Sequence, residues 1–437
     1  MSQFLKKIFI VSFILKILVS LFLPVTLDEY YYFLWGEYPS LSYFDHPPMT
    51  GWMMIVSQYL KLPFEGVLRL PFIILSHLTV AIWVLTLKEF LNDSKLELFA
   101  LVAFLNPLWG LGGLIATPDI PLVFFWSLSI YFSHKILKAD DLTSYLGLGI
   151  SLGLSFLSKY QAVLFLPCLL WLIAQQKLWK KLINYKTVIA VFVALIFSAP
   201  VLWWNYQNDW ASFQFQWKHG MSAQHWRWIW PFEYLGTQIL IIFPTFLFFL
   251  FKDFKKAAQH WLFPFAIFPF LFFLYSSFKG RVEGNWVIMA LPAFYSLAII
   301  LTQDKTIHLL RKTVYLWATL FFIALFALPF TRNKLSEVSK FQNILEATDS
   351  DKTYLSNSYQ LSGFLSYKLN QTICKLPKYG RMDHMDFIEK CSQLPDHFHY
   401  ISEHDHLPQI EKDFPNYKVV SESSIDEKYK FIEVKKR

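Results

Sequence analysis

Two adjacent carboxylates, Asp28 and Glu29, follow directly on an apolar run and precede three tyrosines, Tyr30 to Tyr32. A few residues on, Tyr43-Phe44-Asp45-His46-Pro47-Pro48 joins an acid to a titratable imidazole and ends in two prolines that fix the backbone. A third acid, Asp119, opens another apolar run after Thr117-Pro118. Lys159 sits between two runs with almost no loop around it. The break after Trp203 is long and carries Lys218, His219 and Arg227 among tryptophans, and the last break carries Lys279, Arg281, Asn285 and Trp286. Carboxylates that could take a proton, beside cations that could neutralise a departing anion, suit group transfer from a phosphate-bearing amphiphile. Plainer readings stand beside this one. Asp28 and Glu29 could mark the water boundary, the aromatics could form an interfacial belt, Asp119 could complement a helix N-terminus, and Lys159 could snorkel to the surface.

These residues need elements to hold them, and the sequence predicts membrane spans. Only 16% of the 437 residues are charged and 55% are hydrophobic, including 45 Phe and 17 Trp. Soluble proteins carry about 25% charged residues. Apolar runs long enough to cross a bilayer are read near 8–25, 67–87, 97–112, 119–137, 143–158, 160–176, 187–203, 232–251, 258–275, 286–302 and 312–330, about 11 transmembrane helices. The first follows Lys6 and Lys7, carries Lys16 and lacks a small-residue cleavage site, so it reads as a retained signal anchor. One set of alternate breaks holds sixteen Lys and Arg residues and the other six. The richer set is expected in the cytoplasm, which leaves the N-terminus inside and all the candidate residues outside. The formal net charge of +8 thus follows topology rather than nucleic-acid binding, which is not expected.

The chain divides into a membrane part, 1–330, and a polar part, 331–437. In the latter, strand-like runs (352–357, 372–376, 399–402, 417–421, 429–434) alternate with helix-like stretches (359–369, 385–392, 407–414), predicting a small extracytoplasmic α/β domain. Gly51 to Leu60 reads as an amphipathic stretch on the membrane surface. Cys168 reads as an ordinary small apolar residue, whereas Cys374 and Cys391 are either a disulfide or two free thiols.

Asp28-Glu29-x-Tyr-Tyr, Tyr43-Phe44-Asp45-His46-Pro47-Pro48, Thr117-Pro118-Asp119, the Lys159 hairpin and Asn285-Trp286 resemble, in order and placement, the bacterial members of the dolichyl-phosphate-mannose–protein mannosyltransferase family, which includes the lipid A aminoarabinose transferases. The likeness covers roughly residues 20–300 and extends weakly to Ser358-Tyr359-Gln360 and Gly380-Arg381-Met382-Asp383. It implies the C-type glycosyltransferase membrane fold, the bacterial inner membrane, and inverting sugar transfer from a polyprenyl-phosphate donor to lipid A, lipopolysaccharide or another envelope acceptor. A protein acceptor is the alternative, and a lipid or sugar transporter is a second. By this resemblance Asp28 is the catalytic acid of the first loop, with Glu29 as second candidate and Asp119 as the second family acid. His46, Lys159, Arg227 and Arg281 are candidates for the donor phosphate, and Tyr31, Tyr43, Asn285 and Trp286 for substrate contact. Asp45 and His219 match positions that could hold a divalent metal in the aminoarabinose subgroup. His46 stands where that subgroup has a lysine before Pro-Pro, which argues against an aminoarabinose donor.

Overall fold

The computed structural model describes residues 2–221, 227–327, 341–404 and 409–437. Helices follow the apolar runs closely. Four are long and apolar enough to cross a membrane: Glu65–Leu87, Asp119–Ala139, Tyr185–Gln207 and Gly284–Leu301. Three bent pairs would each count as one further span, and Leu142–Ser158, Tyr160–Gln176 and Phe263–Ser277 are shorter apolar helices. The chain is a multi-pass α-helical membrane protein carrying a small α/β domain at its C-terminal end.

Two expected spans are broken, each for a local reason. Run 97–112 bends by 64° between Asp93–Leu105 and Pro107–Leu114. There Pro107 interrupts the hydrogen-bond ladder, and Asn106 Oδ1 instead accepts from the backbone N–H groups of Leu108 and Trp109. Run 232–251 bends by 94° at Phe243, whose φ of 56° is left-handed, immediately before Pro244. The first span is Gln3–Phe22, and a 94° bend separates it from Leu27–Glu37, which carries the first acids. Lys16 is buried within the first span and donates to Ser76 Oγ at 3.1 Å. Cys168 is a buried free thiol in the apolar core. The stretch expected to be amphipathic is the helix Met49–Tyr59.

The C-terminal domain is a five-stranded sheet: β1 Tyr354–Ser356, β2 Cys374–Lys375, β3 His397–Glu403, β4 Tyr417–Ser424 and β5 Tyr429–Lys436. The order is β2-β1-β3-β5-β4, with β1 parallel to both neighbours and the other pairs antiparallel. Each expected strand appears, and the helix Tyr359–Leu369 has the expected bounds. The expected boundary at 330/331 lies outside the described residues. Cys374 and Cys391 are disulfide-bonded, with Cα atoms 5.4 Å apart.

The domain docks on Leu27–Glu37 through the helix Tyr359–Leu369. At Gly363 the two backbones meet so closely that a Cβ would lie 2.8 Å from Tyr31 N and from the Tyr30 carbonyl carbon. Tyr30 packs edge-on against Phe364, and Lys368 pairs with Glu65, which also accepts from Tyr30 Oη at 2.8 Å. One apolar cluster therefore runs from Leu27 and Tyr30 through Phe364 to Tyr354, Ile401 and Phe431 of the sheet.

Candidate active site

Glu29 is fully buried and its carboxylate is used up locally. Oε1 accepts from Arg69 Nε and Ala116 N, both at 2.8 Å; Oε2 accepts from an Arg69 terminal nitrogen at 2.7 Å and Thr26 N at 2.8 Å. Four donors saturate a carboxylate. Arg69, also buried, donates further to the carbonyls of Leu23 and Pro24. This corrects the expectation for Glu29: it has no oxygen left for a substrate proton, and its place is a clamp. The clamp ties together the end of the first span, the N-terminus of Leu27–Glu37, the start of Leu70–Leu87 and the loop that leads to Asp119.

Asp28, next in the chain, points the other way. It is exposed, and its Oδ1 accepts from Gln360 Nε2 of the docked domain at 3.2 Å. Asp45 is buried, and each of its oxygens has a donor: Tyr31 Oη at 2.6 Å and an Arg381 terminal nitrogen at 2.8 Å. Burial raises the Asp45 carboxyl above its ordinary value, against the pull of Arg381. Arg381 also lies over the Tyr359 ring, 4.4 Å from its centroid. A metal ion at Asp45 would have to displace that guanidinium. His219, the second expected ligand, falls on the last turn of Ala211–Met221, where side chains lie outside the described residues.

Asp119 stands on the first turn of its helix, nearly buried. Oδ1 accepts from Lys159 Nζ at 2.7 Å and Oδ2 from Asn285 Nδ2 at 2.7 Å. Three expected residues from three separate loops thus form one contact. Tyr32 joins this group to the first. Burial pushes its phenol pKa well up, and the charges of Asp28, Asp45 and Asp119 all act on it in the same direction. The charges of all three acids reach Tyr32.

Tyr31 and Tyr43, expected to touch substrate, are buried scaffold. Tyr43 stacks on Trp35 at 4.4 Å and donates to the Trp35 carbonyl at 2.7 Å, with no exposed surface. Tyr31 accepts from His384 N at 2.8 Å while donating to Asp45. His46 is half-buried, and its ring lies 6.3 Å from that of Trp35. Arg227 and Arg281 are exposed on their loops. Trp286 is half-buried, with its ring against Phe273.

The residues that the motif reading ranked too low come from the docked domain. Arg381 is carried on a loop held by the disulfide and by buried Lys375 of β2. Lys375 Nζ donates to Asp383 and Asp386, both at 2.8 Å, and to the Arg381 carbonyl at 2.6 Å. His384, on the same loop, packs edge-on against Tyr43 at 4.5 Å, and burial lowers its imidazole pKa to about 3.

A helical membrane part with acids at one end is thus capped by a small domain that adds an arginine. The same fold occurs in ArnT from Cupriavidus metallidurans, solved with undecaprenyl phosphate: TM-score 0.69 at 15% identity, over 97% of both chains. The apo form of ArnT superposes with a TM-score of 0.67 at 14% identity. Residues 45–204 match the family model described as dolichyl-phosphate-mannose-protein mannosyltransferase. Two Rhizobium johnstonii proteins are 26% identical: the lipid A galacturonosyltransferase RgtD over 208 residues (46% of this chain, 41% of that protein), and the lipopolysaccharide core galacturonosyltransferase RgtA over 201 residues (45% and 40%). The chain thus matches about two fifths of the length of these relatives. The chain shares the fold of ArnT and, over residues 45–204, matches the protein mannosyltransferase family model, with partial sequence similarity to the two galacturonosyltransferases.

Proposed function

We propose that the protein is an inverting glycosyltransferase that moves a sugar from a polyprenyl-phosphate donor to lipid A, lipopolysaccharide or a related envelope lipid. The observation that carries this reading is the pairing of two buried acids from separate loops, Asp119 and Asp45, with the cations Lys159 and Arg381. An acceptor hydroxyl attacks the anomeric carbon, its proton passes to Asp28, and the bond from that carbon to the donor phosphate oxygen breaks. Asp28 is the acid suited to this step, because it is exposed and, among the described residues, accepts one long hydrogen bond, from Gln360. Lys159 and Arg381 supply positive charge where the phosphate departs, with His46 and the exposed Arg227 and Arg281 as further candidates. Asn285 orients Asp119, and Trp286 lies beside it in the same segment.

The site belongs on the extracytoplasmic face of the bacterial inner membrane, with the N-terminus in the cytoplasm. The lysine distribution supports this orientation, and so does the Cys374–Cys391 disulfide, which persists in an oxidising compartment. A protein acceptor is the second reading, favoured by the description of the matching family model. Mass spectrometry of envelope lipids from cells with the intact gene, without it, and with Asp28→Asn tests the proposal. A hexose, pentose or uronic acid mass shift lost in both altered strains is expected. Unchanged lipids would refute the lipid acceptor and direct the search to glycoproteins. Full transfer by Asp28→Asn would refute Asp28 as the base.

A further inference from the structure

We propose that His397, His399 and Glu433 form a binding site for a divalent transition metal, zinc foremost, on the C-terminal sheet. The strand pleat places His397 and His399, two residues apart on β3, on one face. The β3–β5 register sets Glu433 directly across from His399. The three offer ligand atoms that all lie within 4.8 Å of one another, and His397 Nε2 is 2.9 Å from Glu433 Oε1.

The surroundings prepare this group for a cation. Ser421 Oγ of β4 donates to Glu433 Oε2 at 2.7 Å, which orients the carboxylate and leaves Oε1 toward the histidines. Tyr354 and Phe431 flank the His399 ring. His399 Nδ1 is buried, with the Thr353 backbone as its near polar neighbour, so the ring sits fixed on the sheet. Two imidazoles and one carboxylate are a zinc donor set that leaves a fourth position for water. Lys435, 3.5 Å from Glu433, and Lys352, whose charge acts on His399, oppose a cation, and both are exposed enough to swing away.

The site is separate from Asp45 and His219, and it stands whether or not the transferase reading holds. A metal there would clip β3 to β5 on the face where Tyr354, Ile401 and Phe431 pack with Phe364 and Tyr30. It would therefore stiffen the surface by which the domain docks on Leu27–Glu37.

The test uses the full chain in detergent, stripped with a chelator and titrated with zinc by calorimetry. Cobalt absorption reports coordination geometry, and thermal melting reports stabilisation. One equivalent is expected in the native protein and in Asp45→Asn. His399→Gln and the exposed His397→Gln should weaken binding on the order of 10- to 100-fold or more and abolish the zinc-dependent rise in Tm. Because His397 is exposed, its variant is not confounded by misfolding. An absence of zinc binding by the native protein, or affinity unchanged in both histidine variants, would overturn the proposal.

Discussion

Replacing Arg69 by methionine should destabilise the protein more than any other single change at the acid cluster. The guanidinium makes two bonds to Glu29 and one each to the carbonyls of Leu23 and Pro24. Without it, Glu29 keeps only the Thr26 and Ala116 amides as donors, and a charge with no exposed surface is left uncompensated. Removing one partner of a buried ion pair costs about 3–5 kcal/mol. The double variant Glu29→Gln with Arg69→Met buries no charge and should be more stable than Arg69→Met alone, which gives a favourable coupling energy on the order of 2 kcal/mol. Denaturation of the purified protein in detergent, run on the wild type, both single variants and the double, yields that coupling. Transferase activity should fall in parallel, because the clamp fixes Asp28, one residue away, and the loop from Ala116 to Asp119. Strictly additive losses, or a loss below about 1 kcal/mol for Arg69→Met, would refute the account of Glu29 as a clamp.

Lys159→Met leaves nearly buried Asp119 without its cation and should lower transfer by on the order of 100-fold or more, whereas Asn285→Ala, which removes one neutral donor, should have a smaller effect; single-turnover assays with a polyprenyl-phosphate sugar distinguish them. Arg381→Met should abolish most transfer and raise the Asp45 carboxyl further, so the acid limb of the pH–rate profile moves to higher pH; an unchanged profile would separate Asp45 from the reaction. His384 is held neutral, its pKa falling from an ordinary 6.5 to about 3, so the unfolded chain takes up a proton that the folded one refuses. Stability is then full above pH 6.5 and falls as the pH drops, by about 1 kcal/mol between pH 7 and pH 5.5, and Tm measured across that range should fall less steeply in His384→Phe. Cys374→Ser opens a loop of sequence separation 17 and should cost the C-terminal domain about 3 kcal/mol, read as a lower melting temperature matched by wild type under reductant.

Most of the architecture was legible because apolar runs and helices are nearly the same object in a membrane protein. The strand pattern after residue 341 was legible too, since Leu355, Phe398, Tyr400, Ile432 and Val434 alternate with residues of the opposite face. The breaks at Asn106 and Phe243 were harder to see, because hydropathy counts apolar residues and is blind to backbone direction. At the site, the pairing of Asp119 with Lys159 and Asn285 joins residues that the motifs had each marked singly. What motif reading misjudged was burial. Asp28 and Glu29 look equivalent as neighbours, yet a helix turns adjacent residues about 100° apart, and Arg69 decides which of them is consumed. The signal was present: a lone arginine in the apolar run 67–87 is too costly to leave unpaired.

The placement of Arg381 suggests why a small domain is fused to the helical part at all. Asp45 is buried, and charged groups at such a depth need a partner; an arginine arrives from residue 381, on a loop tied down by Lys375 and the disulfide. The same docking sets Gln360 on Asp28 and His384 N on Tyr31. The acid cluster is thus incomplete until the C-terminal domain has folded, formed its disulfide and closed Gly363 onto the Tyr30–Tyr31 backbone. A Gly363→Ala change, which touches no polar group of the site, should consequently weaken transfer and lower the protection of Arg381 from covalent arginine reagents, and activity retained in full by that variant would mean that the cluster is competent without its cap.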